Sequence, residues 1–509
     1  MRQALSREDN RRAWLTAAVI VCFLLALAAL FLFRPAFAGG VRLSAPGQTL
    51  LDASAGLDRI SVQLTFDPSD STAIHAVQTL TLTNRTGVSQ PAILLRSYTG
   101  AYLTEEYSPA AGDELYEQCY PAGFNPGGVQ VELAGVDGSP ASIAWQDGRA
   151  MTVLRLGLDA PWLPGEERTV TLVWQAVVPE CSSRFGLADG VWALGNLIPV
   201  PALWENGDWV LDPYGRIGDP FQTACANWQV EVSVPDGFQV AASAYAEPES
   251  VSGHSVYRFE TLAARDFAMA ISDRFCTASA MEGSTLVSAF ALDQSYAFSM
   301  VSAACKALRC FSGHWGEYAY PSFTCAQVTF PFGGMEYPGF VMIGTSTLSL
   351  GPANTELTVA HEAAHQWWAI QVGSDSVRQP WQDESLTTYS TLTYISDFMG
   401  AHTRDLYDFL WAETAMRVSL PQPVTPGSPC DYFDSLSIYS TVVYNRGAAF
   451  WNALEKLMGV NTLHEALADY HAQYRFSRAS RSDLTRIPSQ HAGMDLEPFM
   501  ADYLDTLLN

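Results

Sequence analysis

The chain has 509 residues, 48% hydrophobic and 16% charged. That is enough for two or three domains with a large buried core, and it excludes wholesale disorder. With 53 acidic against 28 basic residues the formal net charge is −25, which repels phosphate backbones, excludes nucleic acid as a partner and favours cationic ones, a peptide's free amino terminus among them.

The first element is an apolar run over residues 13–33, long enough to cross a bilayer as one transmembrane helix, which takes ~20 residues. Arg2, Arg7, Arg11 and Arg12 precede it, while Arg34 and Arg42 follow it. The heavier basic side stays in the cytoplasm. Residues 1–40 are therefore expected to be a cytoplasmic tip and single-pass anchor in the cell membrane, with the rest extracytoplasmic. A cleavable signal peptide competes, because Ala36, Phe37 and Ala38 match a cleavage site and would release a secreted form. The run is longer than a signal core, which favours the anchor. Cys22 lies in this run. The other eight cysteines, Cys119, Cys181, Cys225, Cys276, Cys305, Cys310, Cys325 and Cys430, are even in number, which permits disulfides in an exported chain. None has the C-x-x-C spacing of a zinc ribbon.

Residues 41–275 read as β-rich. Arg59–Phe66 alternates polar and apolar residues, as a half-buried strand does. Residues 77–82, 170–177, 228–234 and 255–260 repeat the pattern, and turn clusters such as 67–70 and 235–237 punctuate it. Many short strands predict an antiparallel β-sandwich or saddle. From Cys276 the texture changes to a helix over 294–315, a strand over 324–330, then helices over 354–370, 385–398, 404–417, 445–458 and 463–474. Residues 276–509 are thus expected to form an α+β domain that becomes all-helical.

The chemistry concentrates at His361-Glu362-Ala-Ala-His365. Residues four apart share one helical face, so both imidazoles reach a single ion. Glu362, about 100° round the helix, is placed to take a proton from an activated water. H-E-x-x-H alone also occurs as two exposed histidines with a solvating glutamate. Glu384, nineteen positions after His365 and at the start of the next helix, changes that. Two histidines and a carboxylate leave the fourth position of a Zn2+ ion open, the composition of a catalytic site holding one zinc per chain.

This spacing resembles that of the gluzincin metallopeptidases, and the wording 361–368 with Trp381-Gln-Asp-Glu384 resembles the aminopeptidase N and leukotriene-hydrolase-like family. Gly333-Gly334-Met335-Glu336-Tyr337 is similar to that family's G-x-M-E-N exopeptidase motif, and Tyr444-Asn-Arg-Gly-Ala448 to its Tyr-x-Lys-Gly-Ala segment. The resemblance implies a thermolysin-like catalytic domain and removal of residues from the free amino terminus of peptides. Glu336 would hold the substrate's amine by charge-assisted hydrogen bonds, with Gly333, Gly334 and Met335 beside the substrate. Tyr444 would donate to the oxyanion. Departures are Tyr337 for Asn, Arg446 for Lys, and Ala369 and Ser385 at positions where Gly is common. Larger members continue into a further helical domain, so a chain ending at Asn509 implies a short form with a more open site, and cleavage without need of a free amino terminus stays an alternative. So does a non-catalytic exported binding protein on the same fold, against which every ligand and Glu362 are retained. His75, His254, His314, His402, His464, His471 and His491 read as surface or satisfied core groups. Asp383 reads equally as a helix cap or as a carboxylate orienting a ligand.

Overall fold

The computed structural model describes residues 43 and 45–507 apart from 71 and 111–114. The apolar run 13–33 and the rest of 1–40 lie outside the described residues, and among those described no helix is long and apolar enough to cross a membrane.

Eight strands form the main sheet of the amino-terminal half, in the order Glu249–Val251, His254–Ala264, Ala226–Pro235, Arg59–Phe66, Ile74–Thr83, Glu167–Val177, Gly128–Val136 and Ser139–Pro140. Alternate residues are buried, as in Ile74, Ala76, Leu80 and Leu82, which sets one face against the core and the other towards water. The expected antiparallel sheet needs one correction: Arg59–Phe66 pairs parallel with Ala226–Pro235, from Arg59 opposite Asn227 to Thr65 opposite Ser233. A parallel pair needs a long crossover, here the whole stretch between the strands, too long a separation for any local signal to mark. Two four-stranded sheets and a two-stranded ribbon, Leu203–Glu205 with Asp208–Val210, complete this half.

The carboxy-terminal half begins with a hairpin, β1 (Cys276–Glu282) and β2 (Thr285–Ala291), followed by helix α1 (Gln294–Trp315). Asp293 caps α1, accepting a hydrogen bond from the Ser295 amide. Strands β3 (Ser322–Val328), β4 (Gly334–Tyr337) and β5 (Phe340–Gly344) complete a five-stranded sheet of order β1-β2-β3-β5-β4. β4 is an edge strand, antiparallel to β5. Helix α2 (Pro352–Ala364) starts with Pro352 at its first position, where the missing N–H costs nothing. Its Ala360, Ala363 and Ala364 share one core with Ala303, Ala304 and Ala307 of α1. These small residues let the two helices pack closely.

α2 ends at Ala364 rather than running on to 370. The Ile370 and Val372 amides turn back to the carbonyls of His365 and Trp367, and 372–373 pair in parallel with 477–478. Burial of Trp367 and Trp368 in the core fixes this turn, and Ala369 sits at φ +89°, a left-handed conformation in which glycine carries no penalty. Helix α3 (Trp381–Met399) starts four residues before the apolar spacing that begins at Ser385, and carries Glu384 in its first turn, as the expected helix start requires. The stretch expected as one helix over 404–417 is Ala401–Tyr407, a π-helical segment Asp408–Glu413 and Thr414–Arg417. A second π-helical segment, Ser440–Arg446, leads into α4 (Gly447–Met458), with α5 (Val460–Tyr474) after it. None of the eight cysteines outside the amino-terminal run forms a disulfide; the thiols of Cys119 and Cys181 meet in the β-rich core.

Candidate active site

His361 and His365 project from one face of α2 towards Glu384 in the first turn of α3. Each Nε2 lies 3.5 Å from Glu384 Oε2, and the three donor atoms fall within 4.8 Å of one another. Bonds of 2.0–2.1 Å in a tetrahedral site require donor separations of about 3.3 Å, so the pocket is the size of a zinc ion. The hydrogen bonding agrees. His365 Nδ1 is 2.6 Å from Asp383 Oδ1. When Nδ1–H donates there, Nε2 is left as a lone pair aimed at a carboxylate. Glu384 Oε2 is buried with no hydrogen-bond partner. Buried lone pairs facing one another are costly unless a cation lies between them. His361, His365 and Glu384 therefore fit a zinc ion.

Asp383 does not cap α3. Its side chain orients His365, with Thr387 Oγ1 3.2 Å from the same nitrogen. Thr391 Oγ1 approaches His361 Nδ1 at 3.5 Å. Carboxylates and hydroxyls in these places fix the tautomer and angle of a metal-binding imidazole. Thr387 and Thr391 follow Glu384 at helical spacing, so they were in reach of a sequence reading, though only as one face of a helix.

Strand alternation sorts the residues of β4. Gly334 and Glu336 face α2; Met335 and Tyr337 face the junction with the β-rich half, both in its hydrophobic core. A Cβ on Gly334 would lie 2.3 Å from Glu362 Oε1 and 2.4 Å from its Cδ. Gly334 thus makes room for Glu362, whereas Gly333 is exposed and a Cβ there would only touch Thr358 Cγ2 at 3.7 Å and Thr347 Oγ1 at 3.8 Å. Glu336 comes within 4.8 Å of the donor atoms of His365 and Asp383. Tyr337 points away from the cleft, its hydroxyl donating to Asn196 Oδ1 at 3.2 Å, and Gly195 lacks the Cβ that would strike that hydroxyl. Gln366, which sequence reasoning passed over, ties the hairpin to α2: its Nε2 donates to the Tyr337 carbonyl at 2.9 Å, and the Gly339 amide donates to its Oε1 at 2.9 Å.

Tyr444 lies in the second π-helical segment, a deformation common at functional sites. Its hydroxyl donates to Glu384 Oε1 at 2.6 Å and its ring stacks on His361. Arg446 serves packing, its guanidinium donating to the carbonyls of Ala415 and Val418. Gly447 is needed where α4 crosses α3, since a Cβ there would be 2.2 Å from Ser385 Cβ. From the β-rich half comes Asp219, held by Arg184 at 2.6 Å. It lines a small cavity with Glu336 and Asp383 and a wider one with Cys430 and Tyr432. No pattern within a Gly-Asp-Pro turn marks Asp219 in the sequence.

The site is crowded with carboxylates in a low-dielectric setting. Burial raises the Glu362 carboxyl to about 8 against the opposing pull of His365. Burial likewise raises Asp383 to about 6 and lifts Glu336 well above the usual range. Burial also works against ionised Glu384, but His365 and His361 outweigh it and hold that carboxyl low. The Tyr444 hydroxyl is raised by burial and by Glu384, so it stays protonated and able to donate.

Residues 301–503 match the peptidase family M1 domain. Curated relatives include the tricorn protease-interacting factor F2 of Thermoplasma volcanium, 24% identical over 217 residues, which are 39% of this chain and 27% of that protein. The leucyl aminopeptidase of Saccharolobus solfataricus is 24% identical over 187 residues, 34% of this chain and 24% of its own. The matched segments span about a quarter of the length of these relatives. Among solved structures, the M1 zinc metallopeptidase of Deinococcus radiodurans superposes with a TM-score of 0.61 at 17% identity, covering 89% of this chain and 95% of its own. A point mutant of that enzyme, solved bound to a Tyr-Ser-Ala substrate, gives a TM-score of 0.59 at 17% identity over 88% and 93%. Residues 301–503 thus match a peptidase family M1 domain, the relatives support an aminopeptidase N-like gluzincin there, and the solved structures share the fold.

Proposed function

We propose that the chain is a zinc aminopeptidase that removes amino-terminal residues from peptides. One observation carries this reading: Glu336, on the edge strand, comes within 4.8 Å of His365 and Asp383, while Gly334 on the same face of that strand abuts Glu362. His361, His365 and Glu384 would hold the zinc, a Lewis acid that polarises the scissile carbonyl and acidifies a water. The edge strand β4 offers unpaired backbone groups to an extended peptide. Glu336 and Asp219 surround the first residue with negative charge and hold its ammonium group, fixing the distance from amino terminus to the first peptide bond. Glu362 accepts the water's proton, and it is the same group that delivers it to the leaving amine. Tyr444 moves its hydrogen bond from Glu384 to the oxygen on which charge develops. Kinship with an aminopeptidase and with a fold solved around a tripeptide supports the reading.

The test compares kcat/KM for matched free and amino-acetylated peptides. Acetylation removes the ammonium and leaves buried carboxylates unpaired, a cost of about 2–5 kcal/mol. Free substrates should be cut at least ~30-fold faster, and Glu336→Ala should narrow that ratio with zinc retained. Equal cleavage of both by the wild type would refute amino-terminal selection and leave an endopeptidase with an open cleft.

A further inference from the structure

Away from this pocket, α1 and α3 bring three other donors together. Cys310 and His314 stand one turn apart on α1, at the spacing of His361 and His365 on α2, and Asp397 meets them from the last turn of α3. Asp397 Oδ2 is 3.4 Å from Cys310 Sγ and 2.9 Å from His314 Nε2, and the three donor atoms lie within 4.8 Å of one another. We propose that Cys310, His314 and Asp397 form a second, non-catalytic site for a borderline-soft divalent cation such as zinc.

Bonds of 2.3 Å to sulfur and 2.0–2.1 Å to nitrogen and oxygen call for donor separations of about 3.3–3.6 Å, close to those observed. Thiolate with imidazole selects zinc and its neighbours over calcium or magnesium. Burial is graded: Cys310 is buried, whereas the side chains of His314 and Asp397 are 27% and 41% exposed. One side is therefore open for entry and for a water as fourth ligand.

Hydrogen bonding behind His314 orients it for this task. The Tyr389 hydroxyl donates to Glu455 at 2.7 Å, so it accepts from His464 Nε2 at 3.0 Å. His464 Nδ1 is then a lone pair, and His314 Nδ1, 3.1 Å away, must supply the proton between them. A neutral His314 consequently aims its Nε2 lone pair at the Asp397 carboxylate. Two acceptors at 2.9 Å repel unless a cation joins them. Outer partners fix the tautomer of metal-bound histidines in this way, and Arg404, paired with Glu455 at 2.6 Å, anchors the far end of the chain. Asp397 has no arginine or lysine partner among the described residues. It lies thirteen residues beyond Glu384 on α3, ~20 Å along the axis, so the two sites share no ligand. A cation there would clamp α1 to α3, the helix that carries Glu384. Binding expels the Cys310 thiol proton to solvent, with no change of oxidation state.

The test is cobalt(II) replacement under reducing conditions. Sulfur ligation gives a thiolate-to-cobalt charge-transfer band, which a site of two histidines and a glutamate cannot produce. The wild type should take up two cobalt ions per chain and show the band. Cys310→Ser and His314→Ala should each lose the band and one of the two ions. The His361→Ala/His365→Ala double variant should keep the band, and its Tm should rise on adding zinc, a readout that does not depend on Cys310→Ser folding. A wild type with one cobalt and no band, or a band that survives Cys310→Ser, overturns the site. His314 and Asp397 would then be only a hydrogen-bonded pair tying α1 to α3.

Discussion

Gly334→Ala separates stability from catalysis at a single methyl group. The new Cβ would stand 2.3–2.5 Å from the Glu362 carboxylate and its Cγ, about 1 Å inside van der Waals contact. The backbone of Gly334 is not in the left-handed region, so alanine meets no φ penalty there. What must yield is the end of a flexible side chain, so the cost in folding should stay below about 1 kcal/mol. That side chain is the proposed base. Moving a reacting group by ~1 Å costs on the order of 10²-fold, or about 2.7 kcal/mol of barrier. Turnover of aminoacyl fluorogenic amides should fall by that factor while zinc content and Tm stay near wild type. Glu362→Gln should lose on the order of 10²-fold or more with the metal still bound. The two changes act through one carboxylate, so Gly334→Ala in the Glu362→Gln background should cost almost nothing further. Wild-type turnover in Gly334→Ala, or losses that multiply in the double variant, would refute the placement of Glu362 against β4.

Asp383→Asn keeps the volume of the side chain but removes the charge that holds the His365 ring at 2.6 Å; zinc affinity, measured by chelator competition, should drop about 10–100-fold, and an unchanged affinity would show that Asp383 does not orient the ligand. Burial holds Glu362 at about 8 without a cation, so at pH 7 the metal-free carboxyl is protonated and zinc, which favours the ionised form, must expel that proton. Burial opposes the charged His365 imidazole, but Glu336, Asp383 and Glu384 raise it well above its usual range, so it too must lose a proton to zinc. Affinity should therefore climb as pH rises through about 7 and 8, with Glu362→Gln releasing about one proton fewer in calorimetry run in two buffers. Proton release identical in both proteins would count against the raised carboxyl.

Much of the site is legible in the sequence. Helical spacing puts His361 and His365 on one face, and a second helix start returns Glu384 to them, because both facts depend only on the 3.6-residue turn and a short connection. Alternation likewise marks Arg59–Phe66 as a strand. It does not name the strand's neighbours, and the parallel pairing with Ala226–Pro235 joins segments whose order in space is chosen by the packing of the whole sheet. The same limit applies within the motifs. Gly334 has a glycine's freedom in the sequence, but only the approach of α2 shows that its missing Cβ is the space Glu362 occupies. Asp383 is equally a cap or a ligand-orienting group until His365 is found beside it. Asp219 carries no local pattern at all. Cys310 and His314 show helical spacing, yet they become a cluster only because the end of α3 sets Asp397 against them. Periodicity along the chain is a local property that sequence alone determines. Which faces meet is settled by burial across hundreds of residues, and that the tertiary structure decides.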